Sequence, residues 1–149
     1  MTPSGESLVY PVTAVAVDGR ALMLEGPPGS GKSSLALALI ERGARLIGDD
    51  AVTLTRDERV TPARLLASPP PNIEGLIEVR GVGLLSLEVA EAARVALILE
   101  LREASQRLPE NAPLRPVLDC LIPSLPFEPG PTAPAERALA ALTLHGLPV

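Results

Sequence analysis

Gly26-Pro27-Pro28-Gly29-Ser30-Gly31-Lys32-Ser33 fits G-x-x-x-x-G-K-[ST], the pattern of a loop that wraps phosphate groups. The glycines let successive backbone N–H groups approach an anion closely, and a following helix adds its positive N-terminal end. A compact ammonium on a flexible stem reaches β- and γ-phosphates where a planar guanidinium fits less well. Composition agrees with that preference: Lys32 is the only lysine, and the other twelve of the 13 basic residues are arginine. Ser33 carries the hydroxyl that such loops present to Mg²⁺, and Ser34 closes the nucleotide-binding set. The flanks supply the context that the motif requires. Ala21-Leu22-Met23-Leu24 reads as a buried strand, and Ser34 to Arg42 is rich in helix formers, with Gly43 as a C-cap. The alternative, a chance Gly/Pro/Ser turn, does not account for a strand before and a helix after. The first function implied is nucleoside triphosphate binding.

Composition bounds the rest. A chain of 149 residues is long enough for one domain with a real core. It is 46% hydrophobic but 1% aromatic, so Leu, Val, Ile and Ala build that core. With Tyr10 and Phe127 as the only aromatics, a base-stacking surface for single-stranded nucleic acid is nearly excluded. A net charge of −5 argues against nucleic-acid and anionic-membrane partners. No apolar stretch reaches transmembrane length. Cys120 is alone and reads as a small buried residue rather than a nucleophile. His145, the only histidine, reads as a solvated tail residue. A single cysteine and no charged-then-apolar leader make the expected setting cytoplasmic.

Along the chain, residues 1–7 read as a frayed start. Val12 to Val17 and Ala21 to Leu24 read as strands joined by an Asp18-Gly19 turn. Ala44 to Ile47 and Ala51 to Thr55 follow, with Arg56 to Arg59 as a charged turn and a further strand from Val60. Ile73 to Val79, Leu84-Leu85 and Ala93 to Leu101 also carry β pattern. Residues 109–134 are proline-rich and read as loop-like or as a surface layer, whereas Pro134 to Leu142 has helix composition. Strands outnumber helices, so the expected class is an α/β phosphate-loop domain on a mixed, strand-rich sheet, spanning 1–149 as one unit.

Phosphoryl transfer also needs carboxylates, for Mg²⁺ and for the acceptor's proton. Asp49-Asp50 end the strand that follows the phosphate-loop helix, at the edge where strand termini meet ligand. Side chains alternate along a strand, so the two carboxylates are expected to point apart and act differently. A solvated Gly-Asp-Asp turn is the bland alternative. Downstream, Glu78 and Arg80 are two apart and expected on one face, before Gly81 and Gly83. Glu78 is a candidate metal ligand and Arg80 a candidate charge stabiliser; a surface ion pair is the alternative.

The phosphate loop, then Leu46-Ile47-Gly48-Asp49-Asp50, then Ile77-Glu78-Val79-Arg80-Gly81-Val82-Gly83, resembles the HPr kinase/phosphorylase family over roughly residues 12 to 108. The resemblance implies the catalytic-domain-only form found in alphaproteobacteria, with a fold of the HPr kinase and phosphoenolpyruvate carboxykinase type. It implies ATP- and Mg²⁺-dependent phosphorylation of a serine on HPr, a small phosphocarrier protein, and a homo-oligomer is in keeping with it. On that resemblance Lys32 is the phosphate lysine and Ser33 and Glu78 are Mg²⁺ ligands, while the acidic pair Asp49 and Asp50 completes the candidate metal set. Asp50 is also the base, and Arg80 and Arg107 are catalytic arginines.

Three departures accompany the resemblance. Pro11 stands where the family has a histidine upstream of the hairpin, and Ser34 stands where many members are acidic. The late segment tied to phosphorolysis in long members is not recognisable between Pro123 and Pro134, which weighs against the reverse reaction. Pro11 keeps two alternatives open: an ATP-binding regulatory module with little transfer activity, or a kinase of another acceptor.

Overall fold

Aliphatic runs broken by turn residues build eleven strands and two helices among the residues that a computed structural model describes, 6–71, 75–103 and 111–149. In chain order the elements are β1 (Ser7–Tyr10), β2 (Thr13–Val17), β3 (Arg20–Glu25), α1 (Lys32–Ile40), β4 (Arg45–Gly48), β5 (Val52–Asp57) and β6 (Arg64–Ser68). Then come β7 (Leu76–Val79), β8 (Gly83–Ser86), β9 (Ala93–Leu101), β10 (Leu114–Val117), β11 (Cys120–Phe127) and α2 (Pro134–His145). A nine-stranded mixed sheet runs β1-β5-β6-β9-β3-β2-β4, with β11 on β9 and β10 on β11, while β7 and β8 form a separate hairpin. None of these helices is long and apolar enough to cross a membrane.

β3 and β9 lie at the centre, parallel to each other, and are buried on both faces. That is why both read as unbroken apolar runs. Successive side chains leave the sheet on opposite sides. Leu22, Leu24, Leu97 and Leu99 pack against Leu35, Ala36 and Leu39 of α1 and Ala138 and Leu142 of α2. Ala21, Met23, Val95 and Ile98 face Val52, Leu54, Leu65 and Ile122 on the other side. Asp18 (φ 49°) and Gly19 (φ 82°) make the tight hairpin between β2 and β3, whose two left-handed residues match the strand twist.

Several boundaries differ from those expected. Ser7 is not frayed: β1 pairs antiparallel with β5, and the Glu6 carbonyl accepts from the Arg56 N–H. β5 runs on through Asp57, and β6 starts at Arg64 because the segment holding Pro62 makes the turn. The proline-rich part is strand over Leu114–Val117 and Cys120–Phe127 and irregular on either side of them. Cys120–Pro123 of β11 pairs with β10, and Ser124–Phe127 pairs with β9. Pro123 and Pro126 can each turn the missing donor to the edge without a partner, and Pro116 sits on the outer strand β10. The side chains of Cys120, Ile122, Leu125 and Phe127 are buried, so this segment belongs to the core. His145 ends α2 rather than trailing from it.

Candidate phosphate-loop active site

β3 carries the chain to the sheet edge at Glu25, and the loop turns there into α1. Gly29 (φ 83°) and Gly31 (φ 98°) hold left-handed conformations that a side chain would strain. Ser30 N–H donates to the Pro27 carbonyl at 3.1 Å, closing the bend. A Cβ on Gly26 would lie 2.5 Å from Ser30 Oγ, so Gly26 lets the loop fold over its own root. No side chain caps α1, and its first helical bond is Leu35 N–H to Gly31 O. The N–H groups of the first turn therefore lack helical partners, the arrangement that receives an anion. Arg115 of β10 grips the root, donating to both carboxylate oxygens of Glu25, one bond measuring 2.9 Å. That bond raises the pKa of the guanidinium. Beside it, Ser124 Oγ donates to Glu100 at 2.8 Å, and Glu100 is the register partner of Glu25.

Asp49 and Asp50 diverge at the end of β4. A Cβ on Gly48 would stand 2.0 Å from the Ala51 carbonyl, so only glycine permits so tight a bend, and Asp50 takes φ 59°. Asp49 turns inward: its Oδ1 accepts from Ser33 Oγ at 2.7 Å and Thr13 Oγ1 at 3.0 Å, and its Oδ2 from the Glu78 N–H at 3.2 Å. Asp50 turns outward, its Oδ1 3.1 Å from Lys32 Nζ. Thr13, fully buried on β2, also accepts from the Asp50 N–H at 3.1 Å. One hydroxyl thus fixes both aspartates.

A cleft of about 500 Å³ opens between the phosphate loop, Leu37, Asp50 and the segment Glu78–Arg80. Glu78 and Arg80 both line it, although β7 ends at Val79 and Arg80 lies in the hairpin turn. Arg80 hangs over the loop, its Nη1 4.0 Å from where a Cβ on Gly29 would be. Lys32, Ser33, Ser34, Asp50, Glu78 and Arg80 are brought onto this cleft with Pro28, Gly29 and Gly31, and Asp49 sits behind Ser33. Gly26, Pro27 and Ser30 are not on its lining; they shape the loop. Arg107 lies outside the described residues. Among the described residues no three acidic, histidine or cysteine side chains converge as a metal cage. Asp50 takes a left-handed backbone turn, and its carboxylate pairs with Lys32 rather than with the Asp49 cluster. Sequence reasoning missed Thr13. Its only signal was one hydroxyl in the apolar run Val12 to Val17.

A strand-rich mixed sheet, a glycine loop feeding an uncapped helix, and two divergent carboxylates define a phosphate-loop domain of the α/β class. Residues 6–126 match the family described as HPr Serine kinase C-terminal domain, and the chain belongs to that family. It is 33% identical over 159 residues to the HPr kinase/phosphorylase of Geobacillus thermodenitrificans, covering 94% of this chain and 50% of that protein. With the HPr kinase/phosphorylase of Bordetella petrii it is 36% identical over 107 residues, 66% of this chain and 34% of that one. The chain thus spans about half, or less, of the length of these curated relatives. In fold it is similar to the Hpr(Ser) kinase/phosphatase of Coxiella burnetii, with a TM-score of 0.73 and 23% identity over 91% of this chain and 89% of that one.

Proposed function

We propose that this domain transfers the γ-phosphoryl group of ATP to a seryl hydroxyl on an HPr-like phosphocarrier protein in the cytoplasm, with Mg²⁺ as cofactor. The observation that carries the reading is the Lys32–Asp50 pair at 3.1 Å, at the mouth of a phosphate loop and beside the Ser33–Asp49 bond. Family membership supports the acceptor, since the relatives are named for HPr.

The residues fit both groups. Two left-handed glycines and an uncapped helix start suit a polyphosphate chain. Ser33 and Asp49 supply a hydroxyl and a carboxylate side by side, which suits Mg²⁺, an ion that keeps waters and takes few protein ligands. Glu78 faces the same cleft. Mg²⁺ supplies neutralisation of phosphate charge.

Lys32 leaves Asp50 for the phosphates, and the freed Asp50 carboxylate, 65% exposed, meets the acceptor. Asp50 takes the serine proton as the serine oxygen bonds to phosphorus and the bond to the bridging oxygen breaks, releasing ADP. Lys32 and Arg80 balance the negative charge that spreads over the transferring group. The proposal is for the forward reaction and leaves phosphorolysis aside.

The test is intact-mass spectrometry of HPr after incubation with this protein, ATP and Mg²⁺. A gain of one phosphoryl group, absent with Lys32→Ala, supports the kinase. ATP binding without any gain supports an ATP-binding regulatory module or a kinase of another acceptor. Pro11, exposed on the bend before β2 where the family carries histidine, is the feature that favours this second reading.

A further inference from the structure

Arg56, Arg64 and Arg94 come from the neighbouring strands β5, β6 and β9 and line one cavity of about 310 Å³. None of its lining residues borders the phosphate-loop cleft. Three guanidinium groups gathered in a chain of net charge −5 call for a countercharge. The protein supplies little of it there. Asp119 is the one carboxylate residue on the lining. Arg56 donates from Nη1 to Glu58 at 2.9 Å, but its Nε is buried with no hydrogen-bond partner. Buried donors are rarely left unmet without a ligand or water to meet them. Arg94 donates from Nη1 to the neutral Pro148 carbonyl at 3.1 Å, and burial, then Arg64, hold its pKa below the ordinary value. Arg64 stands opposite Asp57 in the ladder and shares its charge, but Arg59 takes the hydrogen bonds to both oxygens of that carboxylate, at 2.8 and 3.0 Å. Cys120 lies beside Arg56 and Arg94, which favour its thiolate, but burial is the larger effect and pushes its thiol up, so it supplies no countercharge.

We propose that this cavity is a second anion site, taking a small oxyanion of the phosphate or carboxylate class. Planar guanidinium forks match the paired oxygens of both groups. Leu65, Leu121, Ile122 and Leu147 wall the remainder, so the ligand is compact or has an apolar body. The site is independent of the proposed kinase reaction and does not need turnover to be seen.

The experiment is a two-dimensional amide NMR titration of the full chain with inorganic phosphate, and separately with citrate, at constant ionic strength. The expected result is a set of shifts at residues 56, 64, 94 and 119–122, distinct from those of the phosphate loop. Lys32→Ala leaves that set intact. Arg56→Gln combined with Arg64→Gln weakens it about tenfold or more, as loss of charge-assisted bonds predicts. Arg64→Gln alone serves if the pair unfolds the chain. Response to phosphate only, to citrate only or to both supports the site and names its preferred group. No shift there with either anion overturns the proposal. So does a response that vanishes with Lys32→Ala, or one that the arginine variants leave unchanged.

Discussion

Lys32 Nζ lies 3.1 Å from Asp50 Oδ1, the lysine 14% exposed and the aspartate 65%. The loop built for an anion thus holds its cation against a solvent-facing carboxylate. Such half-exposed pairs contribute only about 0–1 kcal/mol, so a polyphosphate displaces the carboxylate at small cost. In the proposed reaction that exchange would free both groups at once, the ammonium for phosphate and the carboxylate for an acceptor's proton.

Lys32→Ala removes one of the two cations on the cleft, leaving Arg80, and does not disturb the core, since the lysine's ion-pair partner is exposed. Phosphoryl transfer is expected to fall about a hundredfold or more, with a melting temperature close to that of the parent. Lys32→Arg is expected to restore little, because the guanidinium is planar and bulkier. Calorimetric ATP titration beside a phosphotransfer assay checks this, and undiminished transfer by Lys32→Ala would remove the site assignment.

Asp50→Asn separates binding from chemistry. It deletes the competitor for Lys32, so ATP affinity is expected to hold or rise. It also deletes the proposed base, so transfer is expected to drop by roughly 10²–10⁴-fold. Single-turnover measurements at saturating ATP read the second effect alone. Equal rates for the two proteins would assign the proton to another group.

The central strands were legible in the sequence because both faces of β3 and β9 are buried, which leaves an apolar signature that no turn imitates. The phosphate loop was legible because glycine, lysine and serine at fixed spacing have few other uses. β1 was not legible: Ser7, Leu8 and Val9 are exposed, and only their pairing with β5 makes them a strand. The prolines of β11 hid a core strand, since local propensity says nothing about which edge of a strand has a partner. Strand alternation predicts that Asp49 and Asp50 diverge, but both lie past the end of β4 in a bend with Asp50 left-handed, and neither that bend nor their anchoring by Thr13 is legible in the sequence. That contact joins residues 36 apart, and it exists only because β2 and β4 are adjacent in the sheet.

Thr13→Val tests that anchor with almost no change of volume. The Thr13 hydroxyl gives to Asp49 and receives from the Asp50 N–H, so valine leaves a backbone donor unmet and one carboxylate bond lost. A destabilisation of about 1–3 kcal/mol is expected, read from denaturant unfolding. The Mg²⁺ concentration needed for half-maximal transfer is expected to rise, because Asp49 keeps its Ser33 and Glu78 bonds but loses its fixed orientation. Unchanged stability and unchanged Mg²⁺ dependence together would make Thr13 a bystander.

Asp57 gives the stability of the fold a pH dependence on the acid side. Its hydrogen bond from the Arg59 side chain is the largest cause of a pKa below the ordinary 3.8, and the Arg64 charge adds to it, against the opposing effect of burial. A carboxylate with a depressed folded pKa contributes stability that is fully present above its unfolded value. That contribution is lost as pH falls through the folded value. Arg59→Gln removes the main cause while leaving Arg64 in place, so the Asp57 titration is expected to move up toward 3.8 and acid unfolding to begin at higher pH. Carboxyl-carbon NMR follows the titration directly, and circular dichroism follows the unfolding. Superimposable curves for Arg59→Gln and parent below pH about 4 would show that this pair does not set that pH dependence.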